Sequence, residues 1–223
     1  NKNLKSSSIR ASRAEREIAS LKSLMTLSDK DKRFDSRFNL KENLDFFQNK
    51  IILDLGCGDK HLKSNFEEYN SKYLGLDIED VDLESDSLPI EDQKVDIVIS
   101  LAVIEHLNNP GVFLSEIYRV LRPGGLVWLS TPDMNAAKLT FWNDPTHVHP
   151  YNPKSIRFLL NMHGFSHIRV APNYLSKSPK FYSESKLCFL YSRLIPFKGT
   201  SKLPIPEIFK GNCLGLFAIA RKI

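Results

Sequence analysis

The chain has 223 residues, 42% of them hydrophobic and 26% charged, which is enough to bury a substantial core in one globular unit. Three scattered cysteines (Cys57, Cys188, Cys213) exclude a disulfide framework and lack zinc-site spacing, and no apolar run is long enough to cross a bilayer. A formal charge of +5 is unevenly spread: Lys and Arg number 12 against 7 Asp and Glu in residues 1–50, 10 against 17 in 51–171, and 9 against 2 in 172–223.

Residues 1–49 are expected to form a helical extension. Ile9, Ala14, Ile18, Leu21, Leu24 and Met25 recur at helical spacing among charges, and a short helix is expected around Leu40–Gln48. The pattern changes at Ile51, where Ile51-Ile52-Leu53-Asp54-Leu55 reads as a strand buried on both faces and ending at glycines. Leu62–Tyr69 reads as a weak helix, Tyr73–Leu76 as a strand ending at Asp77, and Val95–Ser100 as another buried strand. Pro110 opens a helix running to Leu121, with Asn109 at the N-cap. Arg122-Pro123-Gly124-Gly125 is expected to be a turn before a strand at Leu126–Ser130. A helix over Pro153–Met162 should end at Gly164, and Ile168–Ala171 and Leu214–Ala220 read as the last strands.

Alternating strands and helices predict a mostly parallel sheet covered on both faces. Residues 50–223 would form this domain. Within it, 172–211 break the pattern with five prolines and a basic, aromatic character, as expected of an insertion before the last strand or a cap on the acceptor side.

Glycines directly after a buried strand allow positive φ and close approach of a ligand to the backbone. Asp77, at the end of the next strand, is suited to accept hydrogen bonds from both hydroxyls of a ribose. That pairing suits nucleotide-like cofactors generally, NAD included. The order of the other motifs separates the alternatives. Asp54-Leu55-Gly56-Cys57-Gly58, Gly75-Leu76-Asp77-Ile78, Leu88-Pro89-Ile90, Val95-Asp96-Ile97-Val98-Ile99-Ser100, Ile104-Glu105-His106-Leu107 and Glu116-Ile117-Tyr118-Arg119-Val120-Leu121-Arg122-Pro123-Gly124-Gly125 follow one another. This series resembles the class I S-adenosylmethionine-dependent methyltransferases, type 11 in particular, over roughly residues 50–170.

The resemblance implies a doubly wound, seven-stranded, Rossmann-like α/β fold and S-adenosyl-L-methionine as cofactor, with S-adenosyl-L-homocysteine as product. It implies that Gly56, Cys57 and Gly58 border the methionine part, that Asp54 orders the turn, and that Asp77 and Ile78 flank the ribose. Asp82 and Leu83 match the adenine-contacting position, with Asp86 competing for it, while Ser100, Leu101 and Ala102 would line the sulfonium side. Asp96, Glu105 and His106 are read as positional rather than catalytic. Lys60 stands where the family often has a third glycine, which puts the shape of the turn in question.

A sulfonium methyl group is already activated, so the protein mainly aligns an acceptor, and a base helps when that acceptor is a hydroxyl. Asp144, His147 and His149 are the candidate bases; no third metal ligand is evident beside them, so no metal is expected. The expected acceptor is a hydroxyl of a small molecule, a sugar or a glycan precursor, with a polysaccharide-biosynthesis role. A quinone or lipid precursor, RNA, and a non-catalytic binding role are the alternatives. A nucleic-acid partner is not expected, because no RNA-binding module accompanies Lys177, Lys180, Phe181 and Tyr182. Polar, basic first residues with no apolar stretch behind them predict a cytoplasmic location. Core packing is the first expectation for 172–211, with peripheral membrane contact, a cover over the active site and a dimer interface as its alternatives.

Overall fold

The computed structural model describes Ile18 and residues 47–173, 186–195, 197–198, 210–212 and 214–223. Strand β1 (Ile51–Leu55) buries four of its five residues and pairs in parallel with β2 (Lys72–Leu76) on one side and β3 (Val95–Leu101) on the other. Strands β4 (Leu121–Pro132), β8 (Gly215–Lys222) and β5 (Phe165–Pro172) extend the sheet, in the order β2-β1-β3-β4-β8-β5. Only β8 runs antiparallel to its neighbours. From β1 the chain first goes outward to β2 and then returns to the other side as β3. The strand order therefore reverses between β1 and β3, where an open α/β sheet forms its ligand crevice.

Alternation along the strands feeds two cores. Leu53, Leu55, Val98, Val127 and Leu129 pack with Phe113, Leu114 and Ile117 of α2 (Pro110–Val120) and, beyond the short α3 (Met134–Ala137), with Ile156 and Leu160 of α4 (Pro153–Met162). On the opposite face, Ile52, Ile97, Ile99, Trp128 and Phe217 pack with Phe66 of α1 (Lys63–Glu67), Phe47 and Ile18. Ile18 is helical and 4% exposed, in keeping with an amphipathic helix there; the rest of the 1–46 expectations lie outside the described residues.

Two expectations are corrected. The sheet has six strands among the described residues rather than seven. Residues 77–94, which carry eight Asp and Glu, fold into turns, so β2 forms the edge. Leu121 through Pro132 form one continuous strand; the glycines at Gly124 (φ 77°) and Gly125 make a bulge in it instead of a separate turn, with the register shifting opposite Val95 and Ile97. Asn109 occupies the N-cap of α2 without a side-chain cap bond, whereas Asn152 caps α4 with a reciprocal box through Ser155.

The spaced motifs also have structural duties. Arg119 donates to the Leu88 carbonyl (3.1 Å), the Ile90 carbonyl (2.9 Å) and Glu116, while the Leu88 N–H donates to Glu116 (2.8 Å). Leu88-Pro89-Ile90 and Glu116-x-x-Arg119 thus act as one clamp that carries the chain from β2 back to β3. Asp96 accepts from the Ile51 N–H (2.8 Å) and pairs with Arg122 (2.6 Å), consistent with its positional reading.

Within the insertion lie α5 (Lys186–Leu194), β6 (Phe197–Lys198) and β7 (Lys210–Asn212), the last two paired as a small separate sheet. Arg193 anchors α5 to buried Asp133 at 3.0 Å. Among the described residues no helix is long and apolar enough to cross a membrane.

Candidate active site

The turn after β1 hangs on β2. Gly56 and Cys57 donate backbone N–H groups to the Leu76 carbonyl at 2.8 and 3.3 Å, and Gly58 N–H donates to Asp77 Oδ2. Asp77 Oδ1 also accepts from the Ile78 N–H (2.8 Å). Buried Asp54 accepts from the Tyr73 hydroxyl, and burial beside that carboxylate raises the Tyr73 pKa. Tyr73 was not singled out in the sequence; its register two residues before Gly75 in a strand facing Asp54 was the available signal.

The two glycines of the turn serve different ends. At Gly56 (φ 73°) a Cβ would stand 2.3 Å from Val103 Cγ2, so the chain itself needs that glycine. At Gly58 (φ 49°) a Cβ would meet nothing within 4 Å, leaving that side of the backbone open to a ligand. Lys60 takes φ 55°, the left-handed conformation that glycine adopts most readily. Burial pushes the Cys57 thiol up to about 11, with Asp54 and Asp77 adding to the effect, so it stays protonated.

Ser100 closes the buried part of β3 with a hydroxyl that has no partner, Leu101 is half-buried, and exposed Ala102 sits at φ 58°. Asp82 spends its carboxylate within its own turn, accepting from the Glu84 N–H (2.9 Å) and the Ser85 hydroxyl (2.7 Å); those bonds hold its pKa down. Asp86 joins the same turn by accepting from the Asp82 N–H (3.2 Å). Leu83 packs half-buried against the core, while Ile78 is 83% exposed beside Asp77.

On the other side of the crevice, the loop 144–151 is zipped to the turn Ile104–His106. Val148 and His149 donate N–H groups to the Glu105 carbonyl at 2.9 and 3.1 Å. His147 Nδ1 lies 2.7 Å from the Phe141 carbonyl, and His106 Nδ1 lies 2.9 Å from the Thr146 hydroxyl. The two imidazoles meet edge to face with centroids 4.8 Å apart. Asp144 accepts from the Thr146 hydroxyl and N–H, which lower its pKa, and its Oδ2 is 3.9 Å from His147 Nε2. His149 Nε2 is engaged with the Asn108 carbonyl at 3.1 Å. Glu105, read as positional from the sequence, is 1% exposed, and burial pushes its carboxyl pKa up against the lowering influence of neighbours that include His106 and His147.

A glycine turn and an acid at adjacent strand ends, beside a strand-order reversal, define an α/β nucleotide-type cofactor site. The methyltransferase-domain family model matches residues 24–170, so the chain belongs to that family. It is 31% identical over 135 residues to a probable S-adenosylmethionine-dependent methyltransferase of Mycolicibacterium smegmatis, covering 51% of each chain. It is also 31% identical over 96 residues (36% of each chain) to malonyl-[acyl-carrier protein] O-methyltransferase of Yersinia pestis. To the mitochondrial ubiquinone biosynthesis O-methyltransferase of Dictyostelium discoideum it is 33% identical over 91 residues, 40% of this chain and 26% of that one. The chain thus spans about half or less of the length of these curated relatives. Its fold is similar to that of an Archaeoglobus fulgidus S-adenosylmethionine-dependent methyltransferase (TM-score 0.57, 18% identity, 82% of this chain and 91% of that one). It is likewise similar to Haemonchus contortus phosphoethanolamine N-methyltransferase 2, solved with S-adenosylhomocysteine (TM-score 0.51, 20% identity, 80% and 51%). S-adenosylmethionine dependence is named for the Mycolicibacterium smegmatis relative and for the Archaeoglobus fulgidus protein. The open face at Gly58, the acid beside it and the unpartnered Ser100 hydroxyl fit such a ligand.

Proposed function

We propose that this methyltransferase acts on a hydroxyl oxygen, with a small molecule, sugar or glycan precursor as acceptor. The observation carrying this reading is His147: with Nδ1–H donated to the Phe141 carbonyl, its Nε2 keeps a lone pair beside the crevice. Two relatives named as O-methyltransferases support oxygen over nitrogen. In this reading Gly56, Cys57 and Gly58 border the methionine part, Asp54 orders the turn through Tyr73, and Asp77 takes the ribose. Ile78 lies beside that ribose, Asp82 and Leu83 flank the adenine, and Ser100, Leu101 and Ala102 line the sulfonium side. The cofactor supplies an electrophilic methyl group and leaves as a neutral thioether holding the electron pair of the broken C–S bond. His147 takes the acceptor's proton as its oxygen bonds to carbon; Asp144, whose Oδ2 lies 3.9 Å from the same Nε2, faces the imidazolium that results, and His149 holds the loop through Asn108.

A lipid-linked or quinone-like acceptor is the second reading. It is favoured by Leu187, Leu190 and Leu194, which lie 76, 50 and 71% exposed along α5. That apolar stripe also supports peripheral membrane contact. Incubation with methyl-labelled cofactor and panels of sugar, nucleotide-sugar and quinol acceptors tests both readings. Mass spectrometry should locate the label as a methyl ether on a sugar; label on a quinol selects the second reading, and label on nitrogen or carbon refutes oxygen transfer.

A further inference from the structure

Among the described residues, Glu105, His106 and His147 form a group whose ligand atoms lie within 4.8 Å of one another. The sequence hides it, because the first two follow β3 and the third arrives from the loop after β4. Glu105 is 1% exposed and, although the Thr131 hydroxyl stands beside its carboxyl, its Oε2 makes no hydrogen bond of good geometry, a costly state for a carboxylate unless a cation or proton compensates it. Each imidazole is already held by its Nδ1. That of His147 is 2.7 Å from the Phe141 carbonyl, and that of His106 is 3.2 Å from the Thr146 carbonyl and 2.9 Å from its hydroxyl. Both Nε2 lone pairs are therefore available, and metal-binding histidines are commonly oriented by such bonds from the opposite ring nitrogen. Two neutral nitrogens and one carboxylate make a ligand set that leaves positions open for a substrate. Bonds of about 2.0–2.2 Å need ligand atoms roughly 3.4 Å apart, a closure within reach of side-chain rotation.

We propose that Glu105, His106 and His147 bind a divalent transition-metal ion that in turn binds the acceptor hydroxyl. This deepens the oxygen-transfer reading and rests on it. Coordination lowers the hydroxyl's pKa, so its O–H bond breaks and the proton leaves to solvent water. The oxygen's electron pair then forms the bond to the methyl carbon as the C–S bond breaks. His147 is a ligand in that state, and water replaces it as proton acceptor.

The test uses the full chain, stripped with a chelator and titrated with Co²⁺ and Mn²⁺ by calorimetry and visible absorption, without donor or acceptor. One ion should bind with a Kd on the order of micromolar. His147→Gln and His106→Gln should each weaken binding by about 30-fold or more, while His163→Gln, on another part of the surface, should leave it unchanged. Affinity for S-adenosylmethionine, measured in parallel, should stay the same in each variant and so reports an intact fold. If Glu105→Gln does not fold, the two histidine variants carry the test. Wild-type binding weaker than about millimolar, or equal binding by both histidine variants, overturns the proposal. A chain that binds Co²⁺ but methylates nitrogen keeps the site and loses the oxygen reading. A chelated chain that makes a methyl ether at full rate loses the site and keeps that reading.

Discussion

Two regions flank the crevice, and they are held by contacts of different range. On the donor side, the bonds from Gly58 to Asp77 and from Tyr73 to Asp54 each join residues 19 apart, across adjacent strands of one β-turn-helix-β unit. On the acceptor side, His106 meets Thr146 across 40 residues, His149 meets Asn108 across 41, and Arg193 meets Asp133 across 60. Contacts of the first kind follow once a strand-turn-strand pattern forms; those of the second require the whole sheet to be in place.

Substitutions sharpen this contrast. Gly56→Ala should be the most damaging, at about 3 kcal/mol by urea unfolding, because the added methyl meets Val103 Cγ2 at 2.3 Å where φ is 73°. Val103→Ala in the same chain should recover part of that loss; no recovery would place the strain in the backbone alone. Asp77→Ala should weaken S-adenosylmethionine binding about 100-fold by calorimetry, since it removes a charged acceptor for ribose hydroxyls and the tie to Gly58.

Arg193→Ala tests the other region. Hydrogen exchange in residues 186–195 should accelerate as α5 loses its anchor on Asp133, with cofactor affinity unchanged. A matching loss of cofactor affinity would mean that the two sides are not separable.

Glu116 contributes a smaller, pH-dependent effect. Its hydrogen bonds from Arg119 hold its pKa below the ordinary value, so the stabilisation is present above that value and fades as pH falls through the lowered one. Glu116→Gln should cost about 1 kcal/mol at pH 7 and flatten the loss of stability in acid. The smallest effect is expected at Lys60→Gly, a gain of about 0.5–1 kcal/mol from relieving φ 55°, offset in part by the freer unfolded chain.

The legibility of the sequence follows the same division. Ile51–Leu55 and Val95–Leu101 are apolar runs whose only stable home is the middle of a parallel sheet, and both strands were recognisable from their residues. The seventh strand that the resemblance implies is not in the sheet among the described residues, where residues 77–94, with eight acidic side chains, form turns. Glu105 and His106 read as positional, and neither has a local partner that would have suggested otherwise. Tyr73 passed for an ordinary strand residue until its hydroxyl was found on Asp54.

By itself, then, the sequence determined the class of fold and the turn at Gly56–Gly58 with its acid at Asp77, and the order of its motifs carried the resemblance to the methyltransferase family. Apolar periodicity, glycine φ and strand-end positions are local properties that survive without knowledge of the rest of the chain. Only the tertiary structure decided that Gly56 answers to Val103, that Lys60 bends as a glycine would, and that Glu105, His106 and His147 converge. Convergence of side chains depends on where distant segments finish after the sheet closes, and no spacing along the chain encodes that distance.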